Sequence, residues 1–462
     1  MKKAWEIEYD KFINGIPVIL SEEEQTWKAA ESIEIMSNML YKMKWSSQVP
    51  GSGAKESVII GGIQSMENMG YDVSKAEILM HQGLRALDKN DLGELIKITC
   101  NLWNMFGKMD RIKDHPYWKF KNYGDFKSYE DKVIFLPSED VDVSNTSFKE
   151  QIRRGWLAQI IGGAYGTALE GYSSTNLQKQ FGSLNRYIRE PNTYNDDLTY
   201  ELAFLNAFMN KGFEITSQDI ALEWVALVPF GWSAEEIALK NIEAGIMPPL
   251  SGYFNNPYRE WIGAQMRGAV CGMVAPGNPN MAARLAFMDG EVSHHNNGVI
   301  GEVFNAIMVS LAFTYQEVRK LVIDAISMVP NDSEYYQIIN NALHSAIKHL
   351  NWESAWKAIE PDFIKYNWIH AYPNAAAEVI ALWFGEGDFE ATMEIVGSIG
   401  YDVDCNAAQI MTVIGIMAQE IPDKWSKPIG ETVLTYCRNL KTTSITELTD
   451  WVLQAINNAR KK

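Results

Sequence analysis

Cysteine is scarce: Cys100, Cys271, Cys405 and Cys437 are the four present in 462 residues, widely spread and with no CxxC pair. That spacing argues against a disulfide framework or a thiolate zinc site and suits a reducing cytoplasm. No window supplies about 18 uninterrupted apolar residues, so no membrane span is expected. The opening MKKAWEIEYD has lysines with no apolar stretch behind them and does not read as a secretory signal. Positive charge is also in short supply, with 41 Lys and Arg against 58 Asp and Glu and a net charge of −17. A general nucleic-acid binder needs clustered Lys and Arg, so no nucleic-acid partner is expected. A small phosphate-bearing substrate stays open, because bound cations can reverse the local sign. Alternating β-branched runs, internal repeats and low-complexity tracts are absent.

What is present is helix. The composition is 47% hydrophobic, enough for a sizeable core. Ser21 followed by Glu24 predicts a capping box ahead of a helix over 27–43. Residues 74–88 and 91–107 repeat apolar positions at helical spacing. The stretch 109–149 holds Pro116, Gly124 and Pro137 and loses that periodicity, which predicts a boundary near 140–149. From there, medium helices are expected at 149–169, 197–210, 217–228, 234–244, 259–274, 279–288, 298–314, 316–327, 334–349, 374–385, 389–398 and 404–419. The fold class is all-α. Residues 1–140 form a mostly helical extension without a recognisable motif, and 149–462 the main domain.

Two acidic clusters stand out. Asn195, Asp196 and Asp197 precede the apolar helix LTYELAFLNAF, and Asp402 and Asp404 precede AAQIMTVIGIMAQ. Each could simply cap its helix. Yet apolar helices are usually buried, and buried carboxylates need partners. Few Lys or Arg lie nearby, which makes a divalent cation the natural partner, Mg²⁺, Mn²⁺ or Ca²⁺ rather than zinc. Gly162, Gly163 and Gly166 lie in GWLAQIIGGAYGTALEG, where small residues allow close helix packing. No Lys-Ser/Thr follows, so this is not a phosphate loop. Glu170 ends that segment, as a plain helix-end residue or as a carboxylate reaching a pocket. The polar loop DGEVSHHNNGVIGE offers His294 and Asn297 either as structural hydrogen-bonding groups or as substrate contacts.

In this order, the GGAYGTALEG helix, NDDLTYELAF, EWIGAQMRG, APGNPNMAARLA, EVSHHNNGVIGE and GYDVDCNAA resemble the ADP-ribosylglycohydrolase family, which includes the dinitrogenase-reductase-activating glycohydrolases. The likeness runs from about 150 to about 420 and looks like the family's larger bacterial branch. It implies a compact, orthogonal, many-helix fold with a binuclear site for two Mg²⁺ or Mn²⁺. The metal ligands would be Asn195, Asp196, Asp197, Asp402, Asp404 and Cys405. Glu170, Asp196 and Asp404 would be catalytic. Glu170, Ser293, His294, Asn297 and Gly298 would face the substrate. Asn195 and Cys405 stand where the family carries Thr or Ser, and Gly163 stands where many members carry Asp. The amide oxygen of Asn195 can still ligate a hard cation, whereas a thiol is a poor magnesium ligand. The implied reaction is metal-assisted hydrolysis of an N- or O-glycosidic bond to ADP-ribose, releasing it from a protein or a small molecule through an oxocarbenium-like state. Two alternatives are hydrolysis of another small riboside or nucleotide-derived glycoside, and a non-catalytic ADP-ribose-binding role.

Overall fold

The computed structural model describes residues 1–25 and 27–461. Among them the chain is all-α, with strands confined to three two-stranded antiparallel ribbons and two isolated bridges besides. Among these residues no helix is long and apolar enough to cross a membrane.

The centre of the molecule is a pair of helices, Thr146–Gly166 and Val403–Met417, packed antiparallel over their length. Their glycines explain the intimacy of the contact. A Cβ on Gly162 would come within 2.5 Å of the Ala407 carbonyl, and one on Gly166 would fall on the backbone of Asp404. Because the first helix carries no side chain at these two positions, its backbone meets that of the second directly. The geometry has a functional consequence: the C-terminal end of the first helix, and Glu170 just beyond it, lie beside the start of the second. Two further devices fix this register. Tyr172–Ser173 pairs with Gly400–Tyr401, and the Gly171 N–H donates to the Tyr401 carbonyl at 2.8 Å. The Asn374 side chain, on the helix Ala371–Gly385, accepts from the Asp402 N–H at 3.0 Å and from the Asn406 amide at 2.7 Å.

Most expected helices form within a few residues of their expected ends. One does not. The segment 259–274 is not a continuous helix but a turn, a short 3-10 stretch at Gln265–Arg267 and a helix at Ala269–Val274. Two interactions break it. Trp261 bridges to His370 while the Ile262 N–H donates to Ile369, and Arg267 is fully buried, its fork spent on Asp289 and Ser293. The Ser21–Glu24 box also forms, with the Ser21 N–H and hydroxyl both donating to Glu24, but it closes a separate turn, Glu22–Glu24, ahead of the helix Trp27–Trp45.

Residues 1–140 pack in more than one place. Trp45, Ile59, Ile63, Leu95 and Leu102 belong to a second apolar cluster, while Tyr123 and Tyr129 are buried in the main core. Val58 joins Tyr258 and Trp261 between the two clusters. A small hairpin, Ser47–Gln48 with Lys55–Glu56, projects from this region over the main body.

Candidate active site

Both acidic segments are helix starts, as the capping interpretation requires. Asn195 is the N-cap of Asp196–Lys211, its Oδ1 accepting the Asp197 N–H at 2.8 Å. Asp402 precedes Val403–Met417 without capping it through its side chain. The central helix pair brings these starts together with Glu170. Glu170, Asn195, Asp196, Asp402, Asp404 and Cys405 all line one cavity of about 310 Å³. Asp197 lies just behind that wall, its Oδ1 3.4 Å from the Cys405 thiol.

The electrostatics are those of crowded like charges. Burial, then the charges of Asp404, Asp402 and Asp196, hold Glu170 well above the usual carboxylate range. Burial and neighbouring carboxylates do the same to Asp197 and Asp402, and burial raises Asp404. Asp196 lies deep in the molecule yet keeps access to solvent through the cavity. Its carboxyl is pushed up to about 6, by burial first and Asp404 second, with the backbone N–H groups of Asp196 and Asp197 pulling it back. No lysine or arginine among the described residues forms an ion pair with any of the five. Asp197 Oδ2 and Asp404 Oδ1 are buried with no hydrogen-bond partner. Buried oxygens without donors are what a site for hard cations provides.

The two departures from the hydroxyl pattern behave differently. Burial raises the Cys405 thiol, keeping it protonated, and it donates to Asp197 rather than offering a thiolate. Its sulfur lies with oxygens of Asp402 and Asp404 in a group within 4.8 Å of one another, but the oxygens are the hard ligands. Asn195 uses its oxygen as the cap and turns its amide nitrogen toward Asp404 Oδ2, 3.5 Å away. The same nitrogen fills the space over Gly163, where a Cβ would come within 2.9 Å of it. Asn195 and Gly163 therefore fit each other.

The other expected substrate contacts do not reach the cavity. His294 is fully buried, its Nδ1 2.7 Å from Ser293 Oγ, and burial followed by the charge of Arg267 pulls its pKa well down, leaving it neutral. Asn297 donates to Glu260 at 3.2 Å and accepts from the Tyr335 N–H at 3.2 Å. Gly298 packs directly on the Arg259 carbonyl. These four form the layer beneath the cavity floor. Glu235 stands above them, 3.9 Å from His294 Nε2 and 3.6 Å from Arg267 Nη1, and it does line the cavity.

Glu235, Glu56, Trp232 and Tyr436 also line the cavity, and no sequence motif marks them. Glu235 looks like any acidic residue in a helix's first turn, and Glu56 falls in a region without a motif. The ADP-ribosylglycohydrolase family model matches residues 144–462.

The chain belongs to the ADP-ribosylglycohydrolase family.

A glycohydrolase of this family is a glycoside hydrolase, and the acidic cavity lies within the matched residues except for its hairpin wall. Among solved structures, one described as an ADP-ribosylglycohydrolase-related protein complex aligns with a TM-score of 0.48 at 17% identity, covering 68% of this chain and 100% of that one. No curated protein sequence matches.

Proposed function

We propose that this glycohydrolase cleaves, with divalent cations, an N- or O-glycosidic bond at C1 of a ribose unit. The observation that carries the reading is the gathering of Glu170, Asp196, Asp197, Asp402 and Asp404 at one wall, with buried oxygens left unpartnered and no cationic side chain beside them. Asp196, Asp197, Asp402 and Asp404 would hold Mg²⁺ or Mn²⁺, two ions in the family's arrangement, with Asn195 and Cys405 supporting the aspartates by hydrogen bonds. Bound cations offset the repulsion among these groups and polarise the hydroxyls and water they face. Glu170, raised by burial and open to the cavity, takes the proton of the attacking water, with Asp196 and Asp404 as neighbouring acceptors. The surrounding fixed charge favours the developing cation at C1. The ADP-ribosyl group, on a protein or a small molecule, is the substrate the family name suggests; a smaller riboside is the second candidate. The free cysteines favour a cytoplasmic setting.

The test combines metal titration by calorimetry with hydrolysis of ADP-ribosylated peptides and of free ribosides. Asp404→Ala and Asp197→Ala are expected to stay folded, lose Mn²⁺ affinity and lose at least 100-fold in kcat/KM, a scale of about 3 kcal/mol. A folded, metal-poor variant with full activity sinks the reading.

A further inference from the structure

Apolar surface is unevenly spread over this molecule. Among the described residues 28 large apolar side chains are exposed, and 15 of them fall within the first 40 positions. The helix Ala4–Ile13 has no buried residue. Beyond it, Ile16, Val18 and Ile19 stand largely in solvent. A helix of 10 residues is marginal in water unless something packs on it. Exposed apolar surface gathered in this way marks an interaction site rather than a solvated face.

The spacing of these residues selects the partner. Trp5, Tyr9 and Phe12 recur at intervals of four and three along the first helix. Ile33, Met36, Leu40 and Met43 recur at three, four and three along Trp27–Trp45. This is the heptad period of a seam that packs against another helix carrying the same seam. The first three members of the second seam are exposed, and Met43, half-buried, lines the cavity. Every copy of the chain presents both seams, so a two-fold axis lets one patch serve on both sides. The amount of surface agrees. The exposed apolar side chains of residues 1–40 offer on the order of 1,000 Å², against about 800 Å² per partner in a standard interface. A lipid surface fits less well. Residues 1–25 carry three lysines against six carboxyl side chains, and an anionic leaflet attracts the opposite balance.

We propose that the helices Ala4–Ile13 and Trp27–Trp45 form a dimerisation arm whose seams pack with those of a second copy of this chain in a four-helix layer. The second seam runs into the cavity wall at Met43, and its helix leads through Trp45 to the hairpin at 47–56. Association therefore braces the helix from which that wall hangs.

Sedimentation equilibrium and light scattering of the full chain test this. Wild type is expected at twice the 52.3 kDa of one chain. Two double variants, Trp5→Glu with Phe12→Glu and Ile33→Glu with Leu40→Glu, are expected to weaken the dimer about 100-fold or more, the scale of losing two interface anchors. Leu350→Glu, at an exposed apolar residue outside the arm, should leave the mass unchanged. Because no residue of the first helix is buried, the Trp5/Phe12 variant should keep its fold by circular dichroism, and it decides the matter if the other does not fold. The Tm of wild type should rise with protein concentration, and that of this variant should not. A wild-type mass of one chain or of more than two overturns the inference. So does a dimer that survives the Trp5/Phe12 variant, or one that Leu350→Glu dissolves as well. A monomer that sediments with vesicles of phosphatidylcholine and phosphatidylserine would make the arm a lipid anchor instead.

Discussion

Glu170 is the residue whose role separates most cleanly from its neighbours'. It ends the central glycine-bearing helix region, lines the cavity and is raised well above the usual carboxylate range by burial and three aspartates. Glu170→Gln keeps the shape and removes the proton acceptor. We expect kcat to fall by about 10²–10⁴, the range for losing a general base, while Mn²⁺ affinity by calorimetry stays within a few-fold of wild type. A fall in metal affinity as large as that of Asp404→Ala would make Glu170 a ligand instead. The sequence made this residue legible only as an ambiguous helix end, and the motif order raised it to a site residue. Ser293, His294, Asn297 and Gly298 were legible as a polar loop between apolar helices. Hydrogen bonds buried beneath the cavity absorb the side chains of the first three, and Gly298 packs directly on the Arg259 carbonyl. A sequence does not show which face of a loop is buried, so structural and substrate-facing histidines look alike in it.

At the scale of elements, the helix pair is what makes an active site of two separate acidic motifs some 200 residues apart. Gly166→Ala would push a methyl into the backbone of Asp404. Overpacking of this kind costs about 1–3 kcal/mol, and here part of the displacement falls on a proposed ligand. The expected outcome is a lowered Tm together with weakened Mn²⁺ binding. Gly415→Ala, pressing on the Arg154 carbonyl at the far end of the same pair, should lower the Tm with metal affinity kept. Equal metal affinity in the two variants would show that the close approach at Gly166 does not position Asp404. Helix periodicity was readable because these helices are long and strongly apolar. The interruption at 259–274 was not, because it depends on a buried arginine whose partners, Asp289 and Ser293, are distant in sequence.

Across the whole molecule the buried charge is predominantly acidic, and stability should follow pH accordingly. Burial pushes Glu201 and Glu378 up to about 8 and Glu235 up to about 7. The folded protein therefore retains protons that the unfolded chain releases near pH 4–5. That stabilisation is complete below the unfolded values and is lost as pH rises through 7 and 8. The histidines act oppositely, since burial pulls His294 down and His295 down to about 4, but only below their unfolded value of about 6.5. Between about pH 8.5 and 6.5, the metal-free protein should gain Tm as pH falls, measured by calorimetry. Mn²⁺ should stabilise most at the upper end, where the aspartates are ionised and free to bind it. A Tm that falls over the same interval would contradict the buried-acid account.

The hairpin at 47–56 is anchored on the main body by Arg189 donating to the Gly51 carbonyl at 2.7 Å and Tyr172 donating to the Ser52 carbonyl at 3.1 Å. Its other root is Trp45, buried in the second apolar cluster with its indole N–H on Thr99 at 2.8 Å. The wall of the cavity is thus secured by a core that contains none of the proposed chemistry. Local melting of that smaller core would release the wall while the aspartates, held by the central helices, kept their places. Substrate recognition would then fail at a lower temperature than metal binding, and catalysis would report on the integrity of a part of the chain that takes no part in the reaction.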